Sequence, residues 1–392
     1  MSTRRSPSWD IFCRVVDNYG DAAVCWRLAR QLATEHGLDV RLWVDHLTTL
    51  HALCPAVDHA ESTQVVDGVR VQRWQQQMES LSDHGTETAD VVVDAFGGGL
   101  PEGYVAAMAQ RQPAPLWIIL EYLSAETWVS SHHGLASPHS SLPLRRFFFF
   151  PGYGSDTGGV LREAGLLERR DVFQHDASVR ARFWQSMGFE SPSPDATVIS
   201  LFGYESAGVA HFLEIWSQAS ERIVAAVPDS RLRPQVLAFF GVASGRDGAT
   251  LRRGNLEVRL VPFLSQQRYD ELLWASDWNF VRGEDSFVRA QWAAQPLVWH
   301  IYPQEGQAHW PKLDAFLDRY CAGLDPGLTQ TLRTAWHAWN GSLDTSLTVA
   351  DWHLLQKNQR QLKLHAEKWA IALRESGDLA SNLVQFCESK VQ

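Results

Sequence analysis

The chain of 392 residues is poor in cysteine, and the way its cysteines are spread excludes more than their number does. Five are present, Cys13, Cys25, Cys54, Cys321 and Cys387, and no two form a C-x-x-C pair. An odd, scattered set argues against a disulfide framework and against a zinc site. No apolar run approaches the roughly 20 residues that a membrane helix needs. The opening segment, Met1–Trp9, is polar and basic without an apolar stretch, so no signal peptide is expected. Positive charge is in deficit too: 35 Lys and Arg stand against 45 Asp and Glu, a formal net charge of −10. Nonspecific nucleic-acid and membrane-surface binding both need a basic surface, so neither partner is expected. An acidic ligand would have to meet a local positive feature. The expected location is the cytoplasm.

Several signatures are also missing. There is no G-x-x-x-x-G-K-[ST] loop and no G-x-S-x-G elbow, which excludes a P-loop kinase and an α/β hydrolase. Gly97-Gly98-Gly99 and Thr157-Gly158-Gly159 lack the G-x-G-x-x-G spacing of a dinucleotide fold. A nicotinamide dehydrogenase therefore lacks its fingerprint. His132, His133 and His139 sit in a polar stretch with no matching ligand set, so solvated histidines are expected there and no metal. Internal repeats, low-complexity tracts and heptad arrays are absent.

What is there is an ordinary globular composition, with 45% hydrophobic and 20% charged residues. The length is too great for one core and suits two domains. Short apolar runs recur at Asp10–Val16, Val40–Val44, Val91–Phe96, Leu116–Leu120 and Phe147–Phe150. A second series follows at Val198–Phe202, Ile223–Val227, Val258–Val261, Trp278–Val281 and Leu297–Trp299. Helix-length stretches separate most of them, the pattern of parallel strands buried on both faces. Asp21–Thr34 reads as the first crossover helix, with Val24, Leu28 and Leu32 on one stripe. The polar stretch Glu168–Asp195, containing Ser-Pro-Ser-Pro, marks the boundary between the two series. From Leu328 onward the pattern is helical, with Trp336, Trp339, Trp352 and Trp369 on helical spacing. The expected class is α/β, with two doubly wound domains. Residues 1–170 form the first, residues 171–365 the second, and a C-terminal helix over 366–392 packs back on the first. Such folds bind ligands at the carboxyl ends of their strands.

Three segments at those ends carry chemistry. In Val16-Asp17-Asn18-Tyr19-Gly20-Asp21, two carboxylates four residues apart flank a glycine between the first strand and its helix. One can act as a base while the other holds an acceptor. The alternative is structural: Asp21 as an N-cap after an Asn18-Tyr19-Gly20 turn. In Val281-Arg282-Gly283-Glu284-Asp285-Ser286, a glycine turn opens a helix whose first N–H groups suit a phosphate, and Arg282 can neutralise a diphosphate. Glu284 can bind sugar hydroxyls. A strand, a turn and an acidic first helical turn is the bland alternative. Finally, Phe202, Tyr204, Phe263 and Tyr302 follow strands and can stack on a base or ribose, with Gln266 placed to read a pyrimidine edge. The alternative is that they are core aromatics in a chain with 17 Trp and 18 Phe.

These residues resemble a known family, the EarP protein-arginine rhamnosyltransferases that modify bacterial elongation factor P. The resemblance runs from Trp9-Asp10-Ile11-Phe12 through Asp17–Asp21, Glu121-Tyr122-Leu123-Ser124-Ala125-Glu126 and Pro151-Gly152-Tyr153. It continues through Leu201-Phe202-Gly203-Tyr204, Pro262-Phe263, Arg282–Gln291 and His300-Ile301-Tyr302-Pro303-Gln304. It implies a GT-B glycosyltransferase, with two Rossmann-like domains facing a cleft, and dTDP-β-L-rhamnose as donor. The implied acceptor is an arginine of elongation factor P, reached through that factor's folded N-terminal domain. Inversion at the anomeric carbon, no metal and no cofactor are implied as well. By matching positions, Asp21 is the catalytic base, with Asp17 and Glu284 as its partners. Asn18, Tyr19, Gly20, Phe202, Tyr204, Phe263, Gln266, Arg282, Glu284, Asp285, Ser286 and Tyr302 surround the nucleotide sugar. One departure is Ala22-Ala23-Val24-Cys25, where Ile-Gly-Val-Ser is expected. Two other readings stay open: a GT-B enzyme with a carbohydrate or small-molecule acceptor, and a nonenzymatic nucleotide-sensing protein on a decayed transferase fold.

Overall fold

The structure, a computed structural model, describes residues 7–391 apart from 18, 75–86 and 207. The chain divides into two compact units, residues 1–164 with 373–392 and residues 165–372.

The first unit is built on a sheet of β1 (Ser8–Cys13), β2 (Asp39–Val44), β3 (Thr63–Val66), β4 (Val69–Arg73), β5 (Val91–Ala95), β6 (Leu116–Leu120), β7 (Ala136–Pro138) and β8 (Arg145–Phe149). Their order is β3-β4-β2-β1-β5-β6-β8-β7. The chain moves from β1 outward to β2 and β4, then returns to the other side of β1 with β5. The order therefore reverses between β1 and β5, which makes that gap the topological switch point, where open α/β sheets bind ligands. Val91, Val92 and Val93 have little or no exposure, as expected for a central parallel strand covered on both faces. On one face Phe12, Trp43, Trp74, Tyr104 and Trp117 form an aromatic core. A buried pair fixes the register beneath it: Arg41 Nε and Nη2 donate to the two oxygens of Asp10 at 2.6 and 2.7 Å, and the Tyr104 hydroxyl donates to the same carboxylate.

The C-terminal helix Leu379–Val391 belongs to this unit. Gln31 Nε2 and the backbone N–H of Arg162 donate to Asp378 at 2.9 and 3.0 Å, and the Phe386 ring packs on Phe147 and Phe149.

The second unit carries β9 (Thr197–Leu201), β10 (Ile223–Pro228), β11 (Thr250–Arg253), β12 (Leu256–Val261), β13 (Trp278–Arg282) and β14 (Leu297–His300), ordered β11-β12-β10-β9-β13-β14. Here the order reverses between β9 and β13. Trp216, Trp339 and Trp352 join Phe212 and Phe280 in an aromatic core between the sheet and the helices Pro326–Trp339 and Val349–Lys357. Of the tail tryptophans, Trp339 and Trp352 meet the β13 rings Phe280 and Trp278, whereas Trp336 and Trp369 pack on Phe316 and Tyr320 of the helix His309–Tyr320.

The polar stretch Glu168–Asp195 begins just past the division at Ala164 and is mostly helical, over Leu166–His175 and Ala177–Ser186. Sparse large side chains, Phe173, Phe183 and Trp184, supply enough burial to anchor those helices. Two expectations need correction. The run Asp10–Val16 stops being a strand at Cys13. Beyond it Val15 N donates to Asp45 Oδ1 and Val16 N to Asp21 Oδ2, so side chains take the N–H groups that the ladder would have used. His133 is half-buried rather than solvated, because its Nδ1 accepts from Phe150 N at 3.1 Å and its ring packs on Phe149. Burial lowers its pKa.

Candidate active site

In the first unit the site is built where β1, β5 and β6 end. Paired residues Phe12, Asp94 and Ile119 lie abreast across these strands, so their following loops emerge together. The helix Gly20–Thr34 begins directly after the β1 loop. Asp21 lies in its first turn and is 2% exposed. It is not the N-cap: that position is Tyr19. Its carboxylate reaches back out of the helix instead. Oδ2 accepts from Val16 N at 2.8 Å and Asp17 N at 2.9 Å, and Oδ1 accepts from the Tyr122 hydroxyl at 3.1 Å. Burial pushes the pKa of Asp21 up, the two amides and Tyr122 pull it down, and the neighbouring Asp17 carboxylate raises it; the net direction is upward. Asp21 is thus a stronger base than an exposed aspartate.

Asp17 is half-buried, and its carbonyl accepts from Gly20 N at 2.7 Å. A Cβ on Gly20 would lie 3.0 Å from Asp17 Oδ2, so the glycine allows that carboxylate to close over the helix start. Tyr19 is half-buried beside them, and Asn18 lies outside the described residues. The departing residues Ala22, Ala23, Val24 and Cys25 are all buried in the helix, where they change packing and leave the carboxylates in place.

The second unit presents its residues at its own switch point. Phe202 and Tyr204 follow β9, and Arg282 ends β13. The Arg282 guanidinium lies over both rings, 4.8 Å from the centre of Phe202 and 4.7 Å from that of Tyr204. Such stacking suits a planar guanidinium and leaves its edges able to donate. Gly203 lies between the two aromatics because a Cβ there would come within 3.1 Å of Trp339 and 3.3 Å of His300. His300 Nδ1 accepts from Tyr204 N at 3.2 Å. Burial and then the Arg282 charge push the pKa of His300 down to about 3, so it stays neutral and keeps that acceptor. Gly283 turns the chain at a φ of +64°, and Trp299 Nε1 donates to its carbonyl at 2.9 Å. Glu284 is the N-cap residue of the helix Asp285–Trp292 and makes no side-chain cap.

Asp285 is buried and Ser286 half-buried in that first turn. A buried pair steadies the same helix, with Arg289 Nε and Nη2 donating to Asp270 at 2.9 and 2.7 Å. Gln266, the first residue of its helix, is buried, and Phe263 is half-buried after β12. Tyr302 is 46% exposed and meets the Tyr204 ring edge-on at 5.6 Å. Phe202, Tyr204, Arg282 and Tyr302 therefore form one cluster. Phe263 and Gln266 lie on the β12 side of the same sheet edge, and the carboxylates Asp17 and Asp21 belong to the other unit.

The sequence reading missed two residues of the first half-site. Asp94 is 3% exposed at the end of β5, accepts from Gly99 N at 3.0 Å, and is pushed by burial to a pKa of about 6. A lone carboxylate closing the run Val91-Val92-Val93 just before three glycines was the available signal. Tyr122 lies in the quoted Glu121–Glu126 segment, but nothing in the sequence connects it to Asp21. Among the described residues, no group of three or more His, Cys, Asp or Glu is arranged to hold a metal ion.

The family model described as "Elongation-Factor P (EF-P) rhamnosyltransferase EarP" matches residues 9–388. A relative from Pseudomonas putida, named protein-arginine rhamnosyltransferase, is 45% identical over 379 residues, covering 97% of this chain and 98% of that protein. One of the same name from Shewanella oneidensis is 37% identical over 397 residues, covering 98% and 99%. A solved structure described as the structural basis for EarP-mediated arginine glycosylation of translation elongation factor EF-P matches with a TM-score of 0.68 and 34% identity, over 98% of this chain and 99% of that one. The two Rossmann-like units are those of a GT-B glycosyltransferase with a helical C-terminus. The chain belongs to the EarP family, the glycosyltransferases that transfer rhamnose to a protein arginine.

Proposed function

We propose that the chain transfers rhamnose from dTDP-β-L-rhamnose to one arginine of elongation factor P, with inversion and without a metal or other cofactor. The observation that carries this reading is the buried carboxylate of Asp21 at the β1/β5 switch point, oriented by two amides and a phenol.

The acceptor chemistry constrains the roles. A free guanidinium has a pKa of about 13 and an ordinary aspartate about 4, so prior deprotonation would cost roughly 12 kcal/mol. Asp21 does not hold a neutral guanidine in waiting. It takes the proton as the C–N bond forms, when that proton becomes acidic, and its upward-shifted pKa reduces the remaining gap. A second carboxylate, Asp17 or Glu284, grips the other N–H groups of the fork and turns one nitrogen toward the sugar. A single displacement of this kind needs one base and inverts the anomeric carbon. In the second unit Arg282 and the N–H groups of the first turn at Asp285 and Ser286 stabilise the leaving diphosphate. Phe263 and Gln266 hold the base, while Phe202, Tyr204 and Tyr302 frame the cluster around Arg282. Tyr19 and Gly20 shape the floor beneath the sugar. The location is the cytoplasm, where the translation factor works. No helix of the described residues is long and apolar enough to cross a membrane.

The test is the intact mass of elongation factor P after incubation with this protein and dTDP-β-L-rhamnose. A gain of one deoxyhexose on a single arginine is expected, and an unmodified factor would refute the reading. The same assay addresses the acceptor. Both proteins are expected to be acidic, so recognition depends on a folded surface rather than on net charge. The isolated N-terminal domain of elongation factor P is expected to react nearly as fast as the whole factor. A linear peptide bearing the arginine is expected to be slower by more than about tenfold, the equivalent of about 1.4 kcal/mol of lost docking. Equal rates for peptide and protein would rule out recognition of a folded partner.

Donor binding has its own test. Phe263→Ala is expected to weaken dTDP binding by about 1–3 kcal/mol, the range for losing one base–aromatic stack. Unchanged affinity in calorimetry would return Phe263 to a packing role.

A further inference from the structure

Asp21 Oδ2 is occupied by two amide donors, from Val16 and Asp17. A proton arriving at the carboxylate therefore goes to Oδ1. Among the described residues that oxygen has one partner, the Tyr122 hydroxyl, which leaves its second lone pair for the acceptor. The position of Tyr122 thus decides where the basic lone pair points.

Tyr122 is itself held. Backbone bonds extend the sheet past β6, from Glu121 N to Phe149 O at 2.9 Å and from Phe96 N to Leu120 O at 2.6 Å. The Tyr122 ring then stacks on Phe96, with centroids 4.3 Å apart and planes 13° from parallel. Phe96 has a φ of +60°, in the left-handed region that a residue with a Cβ rarely adopts. It presents its ring to Tyr122 from that conformation. Asp94 anchors the glycine loop that follows by accepting from Gly99 N at 3.0 Å. The loop after β5 therefore grips the ring whose hydroxyl orients the carboxylate after β1.

We propose that Tyr122, clamped against Phe96, is the positioning residue of the reaction: it fixes Asp21 Oδ1 so that its remaining lone pair receives the proton of the acceptor nitrogen. This rests on Asp21 being the base. In the step concerned, the C–N bond forms at the anomeric carbon as the bond to the diphosphate oxygen breaks, and the electron pair leaves with the diphosphate. The nitrogen's proton passes to Oδ1, and the modified side chain remains a guanidinium. Tyr122 donates to the carboxylate and so weakens it as a base. Its contribution is therefore orientation, and the burial of Asp21 supplies the basicity. The groups that face Asp21 are the Asp17 carboxylate from its own loop, the Tyr122 hydroxyl from the loop after β6, and the Cys13 thiol at the end of β1. The thiol stays neutral because its hydrogen bond with the Cys25 thiol and its burial both raise its pKa.

The experiment compares full-length wild type, Tyr122→Phe, Phe96→Leu and Asp21→Asn across pH, with folded elongation factor P and dTDP-β-L-rhamnose as substrates. Tyr122→Phe keeps the ring stack and loses only the hydroxyl. Its kcat is expected to fall about tenfold, less than the 10²- to 10³-fold of a donor that touches the developing charge, because Tyr122 acts through Asp21. Both KM values are expected to stay within about twofold, since the lost contact acts on the transition state. The acid limb of the kcat profile is expected to move to higher pH, because a group that lowered the pKa of Asp21 has gone. Phe96→Leu is expected to change kcat in the same direction, by less. Wild-type kcat and an unmoved acid limb in Tyr122→Phe would overturn the proposal. So would a fall in kcat matched by a lower unfolding midpoint and weaker dTDP binding, which would make Tyr122 structural. Near-normal turnover by Asp21→Asn would instead remove the base assignment. A dead Asp21→Asn beside an unaffected Tyr122→Phe would leave the base assignment standing and defeat the positioning role alone.

Discussion

Asp21→Asn is expected to fold, bind dTDP with wild-type affinity and lose transfer by about 10²- to 10⁴-fold, the contribution of a positioned general base. The structure explains why the fold tolerates the change. The asparagine oxygen can take the place of Oδ2 and accept from Val16 N and Asp17 N, leaving the amide nitrogen toward the Tyr122 hydroxyl. What disappears is the site that takes up a proton. The stability effect has a definite sign. Asp21 has a folded-state pKa above the ordinary aspartate value, so its contribution to stability is full at low pH and is lost as pH rises through the folded pKa. At neutral pH the ionised group is a net cost. The neutral asparagine is thus expected to leave the unfolding midpoint at pH 7 unchanged or raise it. A structural carboxylate would behave in the opposite way, with a lower midpoint and retained turnover. For the same reason, wild-type turnover is expected to fall with pH earlier than an exposed aspartate would dictate. Stopped assays and thermal unfolding of the two proteins side by side separate these outcomes.

The apolar runs read from the sequence became the central strands of both sheets because a strand covered on both faces must be continuously hydrophobic. Thr63–Val66, Val69–Arg73, Ala136–Pro138 and Thr250–Arg253 escaped that reading. All four lie in antiparallel pairs at the margins of the sheets; Thr63–Val66, Ala136–Pro138 and Thr250–Arg253 are the edge strands themselves, and Thr250–Arg253 is largely exposed and half cationic. Edge strands need no apolar run, so hydrophobicity alone does not reveal them. The site was legible where local order sufficed. Asp17 and Asp21 share one loop and helix start, and Arg282 to Ser286 form another.

What was not legible depends on sheet order. Tyr122 meets Asp21 across 101 positions of sequence, because β6 lies two strands from β1 with β5 between them. Asp94 reads as one polar residue at the end of a valine strand until the β5 loop folds back onto it. The stacking of Arg282 on Phe202 and Tyr204 likewise needs β9 and β13 to be neighbours, although the chain visits three other strands between them. The core-aromatic alternative and the binding one therefore meet in Phe202, which packs against Tyr269 and supports Arg282 together.

That stack makes Arg282 the residue of the second unit whose replacement should cost most. Arg282→Leu removes the positive charge proposed to meet the leaving diphosphate and is expected to lower turnover by about 10²- to 10³-fold, as the loss of one preorganised donor to a developing charge does. Arg282→Lys is the more telling variant. It keeps the charge but replaces a planar fork by a point charge with different hydration, and neither aromatic face then has a plane to stack on. Arg282 is 5% exposed and its guanidinium lies within 5 Å of two ring centres, at 4.8 and 4.7 Å. A lysine there has to hold its ammonium between the rings without the matching shape. Arg282→Lys is therefore expected to recover little, with dTDP affinity about tenfold or more below wild type, the equivalent of about 1.4 kcal/mol. His300 serves as an internal control. Burial is the larger cause of its low pKa and Arg282 the smaller one, so it is expected to stay neutral in both variants and to keep accepting from Tyr204 N. A loss of affinity then reports on the guanidinium rather than on a rearranged loop. Calorimetry with dTDP and initial rates on the same preparations decide the matter. If Arg282→Lys bound dTDP and turned over like wild type, charge alone would suffice, and the stacked guanidinium would be packing. If Arg282→Leu also did so, the diphosphate would have to be held elsewhere.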